Sequence, residues 1–400
     1  MKLFTSKIDS SADFRIVADD MILTKDMPTA AGSKMLDGYV SLFEAEALTK
    51  LKNAGYGVVG KADVGEFGFD LLGETSYNGA IIEGGVLKNA AAEIVKSGEA
   101  DGAVCLDVNG SPRRAAAQSG LVSVKPTYGT VSRFGTIPVA CSGETVSFMA
   151  SSVKAVRDML FAASGHDDKD GTSLSDELCE KAKRCDKSTP VRKIAVINEL
   201  CEGISADVKA GFEKVISALE KNGCAVEYIS NSTVAASRVA WNILMSAELC
   251  NNVSRYDGVK YGYRAENFSG LDELYTNSRT EAFGGLLKTA IIFGSETLST
   301  ENYMKVYDKA LRVRRLVVEA FGKIFESYDA VLMPAVSDFT YTEESVKNNK
   351  YLCYEENKYT APASISGLPT VVASGVQLVG AAFSEGALLA LAEAIEGEGV

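Results

Sequence analysis

The feature that most constrains this chain is the alternation, in its N-terminal part, of short apolar runs with amphipathic helical patterns. FRIVAD (14–19) predicts a strand, EAEALTKLKNAG (44–55) a helix closed by glycine, and YGVVG (56–60) a second strand. VLKNAAAEIVKSG (86–98) predicts another helix and AVCLDV (103–108) a buried strand. Strands separated by helices of this length are the pattern of a layered α/β fold, in which the intervening helices cover the sheet.

The alternation is then interrupted. Residues 109–146, rich in Gly, Ser, Thr and Pro, read as loop, SSVKAVRDMLFAAS (151–164) as a helix, and 165–192 as a broken polar surface excursion. RKIAVI (192–197), a long helix over 206–223 and CAVEYI resume the pattern. Helical patterns dominate 232–330, DAVLMPAV (329–336) and QLVG (377–380) read as strands, and EGALLALAEAIEG as a last helix. No internal repeat or low-complexity linker divides the 400 residues, so one composite domain over 1–400 is expected, with apolar content (46%) ample for a large core.

Composition narrows the function classes. A net charge of −12 is opposite to the basic footprint of a nucleic-acid binder, so direct contact with nucleic acid by this chain is not expected. Cys105, Cys141, Cys179, Cys185, Cys201, Cys224, Cys250 and Cys353 form no CxxC pair, and with one histidine there is no metal-finger spacing; neither a metal nor a cofactor is expected. That histidine, His166, lies in the polar run SGHDDKDGTS and reads as a solvated loop residue rather than a triad base. The N-terminus lacks the apolar core of a signal peptide, and no apolar run approaches the roughly 18 residues of a membrane span, so a soluble cytoplasmic protein is expected.

The local motif closest to chemistry is DVNGSPRR (107–114), directly after a buried strand. Small residues there let backbone N–H groups converge as an oxyanion hole requires, with Ser111 projecting from the turn. Gly-Ser turns are common, and taken alone the motif reads rather as a structural turn. There is no GxSxG elbow, no phosphate loop of the GxxxxGK[ST] type and no GxGxxG after a strand.

In its wider context, DVNGSPRRAAAQSGLVSVKPTYGTVSRFGTIPVACS resembles the defining stretch of the amidase-signature family. TKDMPTAAGSKMLDGYV and LKNAGYGVVGKADVGEF resemble upstream family segments. NNVSRYDGVKYGYRAENFSGLDELYTNSRTEAFG (251–284) and FESYDAVLMPAVSDF (325–339) resemble in particular the A subunits of glutamyl-tRNA(Gln)/aspartyl-tRNA(Asn) amidotransferases. The resemblance implies a central mixed β-sheet with helices on both faces, and C–N hydrolase or ligase chemistry. It also implies B- and C-like partner subunits, the former bringing tRNA, ATP and Mg²⁺. Relative to the family the chain begins late, without its N-terminal helical segment.

The resemblance implies a Ser–cis-Ser–Lys triad, of which only part carries over. Ser111 holds the nucleophile position, with Val108, Asn109 and Gly110 as its oxyanion loop. The lysine of the family's GIKDNI-like strand end falls on Ala18 of IVADDM, and the relay serine on Leu87 (or Val86) of EGGVLKNAAA. The arginine pair holding the substrate carboxylate falls on Thr289 and Ala290, and the aspartate holding its amino group on Asn357. An alanine and a leucine cannot take or relay a proton. The expected pocket is therefore apolar, with no matching buried charge left at the substituted positions.

Three readings follow. The first is a pseudo-amidase, a paralogue of the amidotransferase A subunits that serves as a binding or scaffold protein. The second is an active divergent amidase or glutamine-hydrolysing subunit that uses Ser111, with Lys88 as the base of a Ser–Lys dyad; Lys88 reads more simply as a surface lysine. The third is a small-molecule sensor that reuses the pocket.

Overall fold

The computed structural model describes residues 2–184 and 191–397, which leaves Cys185 outside the described residues. Its strands are β1 (Phe4–Lys7), β2 (Arg15–Asp19), β3 (Gly57–Ala62), β4 (Ile82–Glu83), β5 (Val86–Leu87), β6 (Gly102–Asp107), β7 (Val122–Lys125) and β8 (Thr145–Ala150). They continue with β9 (Lys193–Ile197), β10 (Ala225–Ile229), β11 (Ala330–Pro334), β12 (Thr370–Ala373) and β13 (Val376–Gly380). Eleven of them form one sheet in the order β1-β3-β2-β6-β8-β7-β12-β13-β11-β9-β10, and β4 and β5 make a separate hairpin. The sheet is mixed: β2 runs parallel to β3 and β6, and β9 parallel to β10 and β11, while the central pairs are antiparallel.

Helices cover both faces. In order they are α1 (Glu46–Asn53), α2 (Ala90–Lys96), α3 (Ser111–Ser119), α4 (Val153–Ala163), α5 (Asp176–Lys183), α6 (Ala206–Lys221), α7 (Ser232–Ala235) and α8 (Ser237–Val253). Then follow α9 (Leu271–Ala282), α10 (Gly285–Thr297), α11 (Asp308–Phe325), α12 (Glu343–Asn348), α13 (Leu352–Glu356), α14 (Ala361–Ser366) and α15 (Glu385–Gly397). Strand alternation divides the core. Ile16, Ala18, Val104 and Leu106 point into the larger apolar cluster, with α1, α4, α8 and α15. Val17, Ala103 and Cys105 point into a smaller one, against the alanines of α2 and α3. Because both faces are covered, the central strands are buried at every residue and read as nearly continuous apolar runs.

Three expectations are corrected. The pattern over 86–98 is not one helix: Gly84 and Gly85, with φ of 58° and 85°, turn β4 into β5. The helix waits for Asn89, whose side chain accepts from Ala92 N at 3.1 Å and so caps α2. The stretch 109–146 is not all loop: it holds α3 and β7, so Ser111 opens a helix rather than standing on a turn. The excursion 165–192 holds α5. The strands β1, β8 and β12 went unread.

Candidate active site

The candidate nucleophile is placed by β6, whose last residue is Asp107. Gly110 then takes φ 98°, and α3 starts at Ser111 with Pro112 in its first turn. A side chain at Gly110 is barred twice, by the left-handed backbone and because a Cβ there would lie 2.3 Å from Thr360 Cβ. A fully buried ion pair locks the turn. Arg113 Nε meets Asp107 Oδ2 at 2.7 Å and Nη2 meets Oδ1 at 3.0 Å. The remaining guanidinium hydrogens go to Gln377 Oε1, the Thr360 carbonyl and Ser364 Oγ. Asp107 is thus committed to structure and does not face Ser111 as a base. Ser111 is half-buried at the head of its helix, and among the described residues its hydroxyl has no hydrogen-bond partner.

The loop before it is filled from within. Val108 is buried in the larger cluster. Asn109 donates from its amide to the Phe69 carbonyl at 3.1 Å, and its Oδ1 accepts from Trp241 Nε1 at 3.2 Å and from Asn357 Nδ2. The Asn109 carbonyl accepts from Thr360 Oγ1 at 2.7 Å and from Asn357 Nδ2 at 3.1 Å. Asn357 therefore does reach the Ser111 loop, but it spends its donors on holding Asn109.

Ala18 sits in β2 in register with Val104 of β6 and Lys61 of β3, wholly buried in the cluster that holds Met21, Phe69, Leu106 and Val108. Its neighbour Asp19 accepts from Met21 N and Leu106 N, and burial raises its carboxyl to about 7 despite those bonds. Leu87 is fully buried with Leu71, Leu72, Leu352 and Cys353, and its carbonyl accepts from Gln118 Nε2 of α3 at 3.0 Å. Among the described residues no hydrogen bond or ion pair joins Lys88 to Ser111. Ala290 is buried, and Thr289 is exposed on α10 with its hydroxyl turned to the Gly285 carbonyl at 3.0 Å. His166 is exposed and bonded to Asp168 and Leu174. No trio of His, Cys, Asp or Glu among the described residues is placed to hold a metal, and no described helix is long and apolar enough to cross a membrane.

Ala18, Leu87 and Ala290 are all buried, yet the surroundings are not free of buried charge. On the face of α3 that carries Ser111, Arg114 lies 3.6 Å from Glu356 and over the Tyr341 ring, with both charged side chains almost fully buried. Ser337 donates to both oxygens of Glu356. Nearby, burial and then the Asp70 charge raise Glu74 to about 8. Sequence reasoning missed this cluster, because its members are scattered over nearly three hundred positions. It also missed Trp241, although its being the only tryptophan of the chain was a signal in plain view.

The amidase family profile matches residues 16–389. The chain is 35% identical to the A subunit of the Streptococcus pneumoniae glutamyl-tRNA(Gln) amidotransferase over 399 aligned positions, covering 95% of this chain and 82% of that protein. The corresponding protein of Streptococcus agalactiae is 34% identical with the same coverage. Among solved structures, the A subunit of the Thermotoga maritima glutamyl-tRNA(Gln) amidotransferase superposes with a TM-score of 0.80 at 26% identity, covering 99% of this chain and 87% of that one. A 6-aminohexanoate cyclic dimer hydrolase shares the fold, with a TM-score of 0.78 at 17% identity. With the mixed sheet, the helices on both faces and Ser111 at the head of α3 already described, this similarity along nearly the whole length means that the chain belongs to the amidase family.

Proposed function

We propose that this protein is a catalytically impaired amidase, similar to amidotransferase A subunits and retained as a binding or scaffold protein. One observation carries the reading. The Ser111 hydroxyl has no partner among the described residues, while the positions to which the family resemblance assigns base and relay, Ala18 and Leu87, are apolar and wholly buried. An unactivated serine hydroxyl is a weak nucleophile, and loss of general base catalysis alone removes about 10²–10⁴ in rate.

The test is ammonia release from glutamine, asparagine and a simple aryl amide by wild type and Ser111→Ala. Both should stay at background, and a fluorophosphonate should label neither. Turnover or labelling that disappears in Ser111→Ala overturns the proposal and favours an active divergent amidase. B- and C-like subunits are the partners proposed for a scaffold role; with a net charge of −12, tRNA contact would then fall to the partner. Size-exclusion chromatography of the chain with such subunits should show co-elution, and separate elution would remove that part of the reading.

A further inference from the structure

A cleft of about 400 Å³ opens between α8, α10 and α13. Its walls are chiefly apolar: Val239 and Ile243 from α8, Phe293 from α10, and Tyr351 and Tyr354 at α13. Val239, Phe293 and Tyr351 are 58%, 41% and 67% exposed, a concentration of wet apolar surface in a concave site.

Two polar groups break that lining. Arg238 is half-buried, and among the described residues its guanidinium has no hydrogen bond or ion pair. Lys358, whose ammonium donates to the Glu202 carbonyl at 2.8 Å, is close enough to be repelled by Arg238, while the Glu202 charge favours it, so Arg238 is the cation that lines the cleft itself. One helical turn from Arg238, Asn242 points along the same face; among the described residues its Oδ1 is buried without a partner, while its Nδ2 makes only a long bond of 3.4 Å to the Tyr354 carbonyl. At the rim, Glu355 accepts from Asn349 Nδ2 and presents a negative charge that disfavours a second anionic group.

We propose that this cleft binds a small amphipathic monocarboxylate carrying an aryl or medium-chain alkyl body. Its carboxylate would pair with Arg238, its body would lie against Ile243, Phe293 and Tyr354, and a donor on the body, where present, would satisfy Asn242. This deepens the proposed binding role and rests on it. Charge, volume and apolarity agree on that class: a neutral hydrocarbon leaves Arg238 unused, a dianion meets Glu355, and a polar metabolite gains nothing from the aromatic walls. The cleft is linked to the Ser111 loop through α8 and α13. Trp241, which bonds Asn109, precedes Asn242 in α8, and Tyr354 lies one turn before Asn357. Occupancy should therefore be felt by the chain's only tryptophan.

Isothermal titration calorimetry with 3-phenylpropionate and octanoate, alongside 3-phenylpropionamide and phenylsuccinate, tests the proposal, with Trp241 fluorescence as a parallel readout. The two monocarboxylates should bind and perturb the emission, and the amide and the dianion should bind at least about tenfold more weakly. Arg238→Gln should weaken the acids about tenfold without affecting the amide, and Thr289→Trp, which fills the cleft from its exposed side, should abolish binding. Circular dichroism confirms that each variant is folded. No heat with either acid, equal affinity for acid and amide, or unchanged acid binding in Arg238→Gln overturns the proposal. Its failure is separable from failure of the non-hydrolytic reading: Ser111-dependent hydrolysis of 3-phenylpropionamide refutes that reading alone, whereas an inactive protein that ignores both acids refutes only the cleft.

Discussion

Replacing Arg113 by methionine probes what holds Ser111 at the head of α3. The substitution keeps an unbranched side chain but removes five hydrogen bonds. It leaves the Asp107 carboxylate buried without its cation, and Gln377 Oε1, the Thr360 carbonyl and Ser364 Oγ without this donor. Both members of the pair have fully buried side chains, so solvent screening does not soften the loss. Breaking such a pair from one side costs about 3–5 kcal/mol, because the surviving carboxylate loses its hydrogen-bonded cation and keeps only the more distant charge of Lys125. With a urea m-value of about 3 kcal/mol/M, the unfolding midpoint should fall by roughly 1–1.7 M. Far-UV circular dichroism across a urea series measures this directly. Asp107→Asn should cost a similar amount alone, and Asp107→Asn/Arg113→Met should cost clearly less than the sum, since no lone charge remains. A cost below about 1 kcal/mol for Arg113→Met, or strict additivity in the double variant, would refute the reasoning.

Three further outcomes are expected. Asn109→Gly strips partners from Trp241 Nε1 and the Phe69 carbonyl, so it should cost about 2 kcal/mol or more and shift the Trp241 emission; unchanged denaturation would show that the network is incidental. Ala18→Lys puts an ammonium into a fully buried site and should destabilise by about 3 kcal/mol or more, and an unchanged thermal melt would refute the tight packing around that position. Burial raises Glu66 from 4.5 to about 7 against hydrogen bonds from Ser33 and Gly284. The folded state thus holds that proton more tightly than the unfolded chain. Its contribution to stability is fully present below about pH 4.5 and is lost as pH rises toward 7. Glu66→Gln, which can still bond both partners, should flatten that decline in thermal melts between pH 4.5 and 7, and an unaltered slope would assign it to other groups.

Much of this protein was legible from sequence alone because the signals are local. Buried runs such as those at 14–19 and 103–108 announce strands in a covered sheet, and glycine stops bound the helices between them. The KPTYG…VSRFG stretch carries the family, and reading its neighbours against that family singled out Ser111, Ala18 and Leu87. What sequence could not supply depends on pairs distant in the chain. That Asn109 is held by Trp241 and Asn357, and that Arg114 meets Glu356, follows from the packing of α8, α13 and α14 around the end of β6. The same holds for the 84–98 region, where two glycines and the Asn89 cap outweigh a continuous helical pattern. The unpaired Arg238 is the clearest case. A lone arginine in a helix says nothing in sequence, and only the assembly of α8, α10 and α13, which gives it aromatic neighbours and, among the described residues, no carboxylate partner, turns it into a candidate binding group.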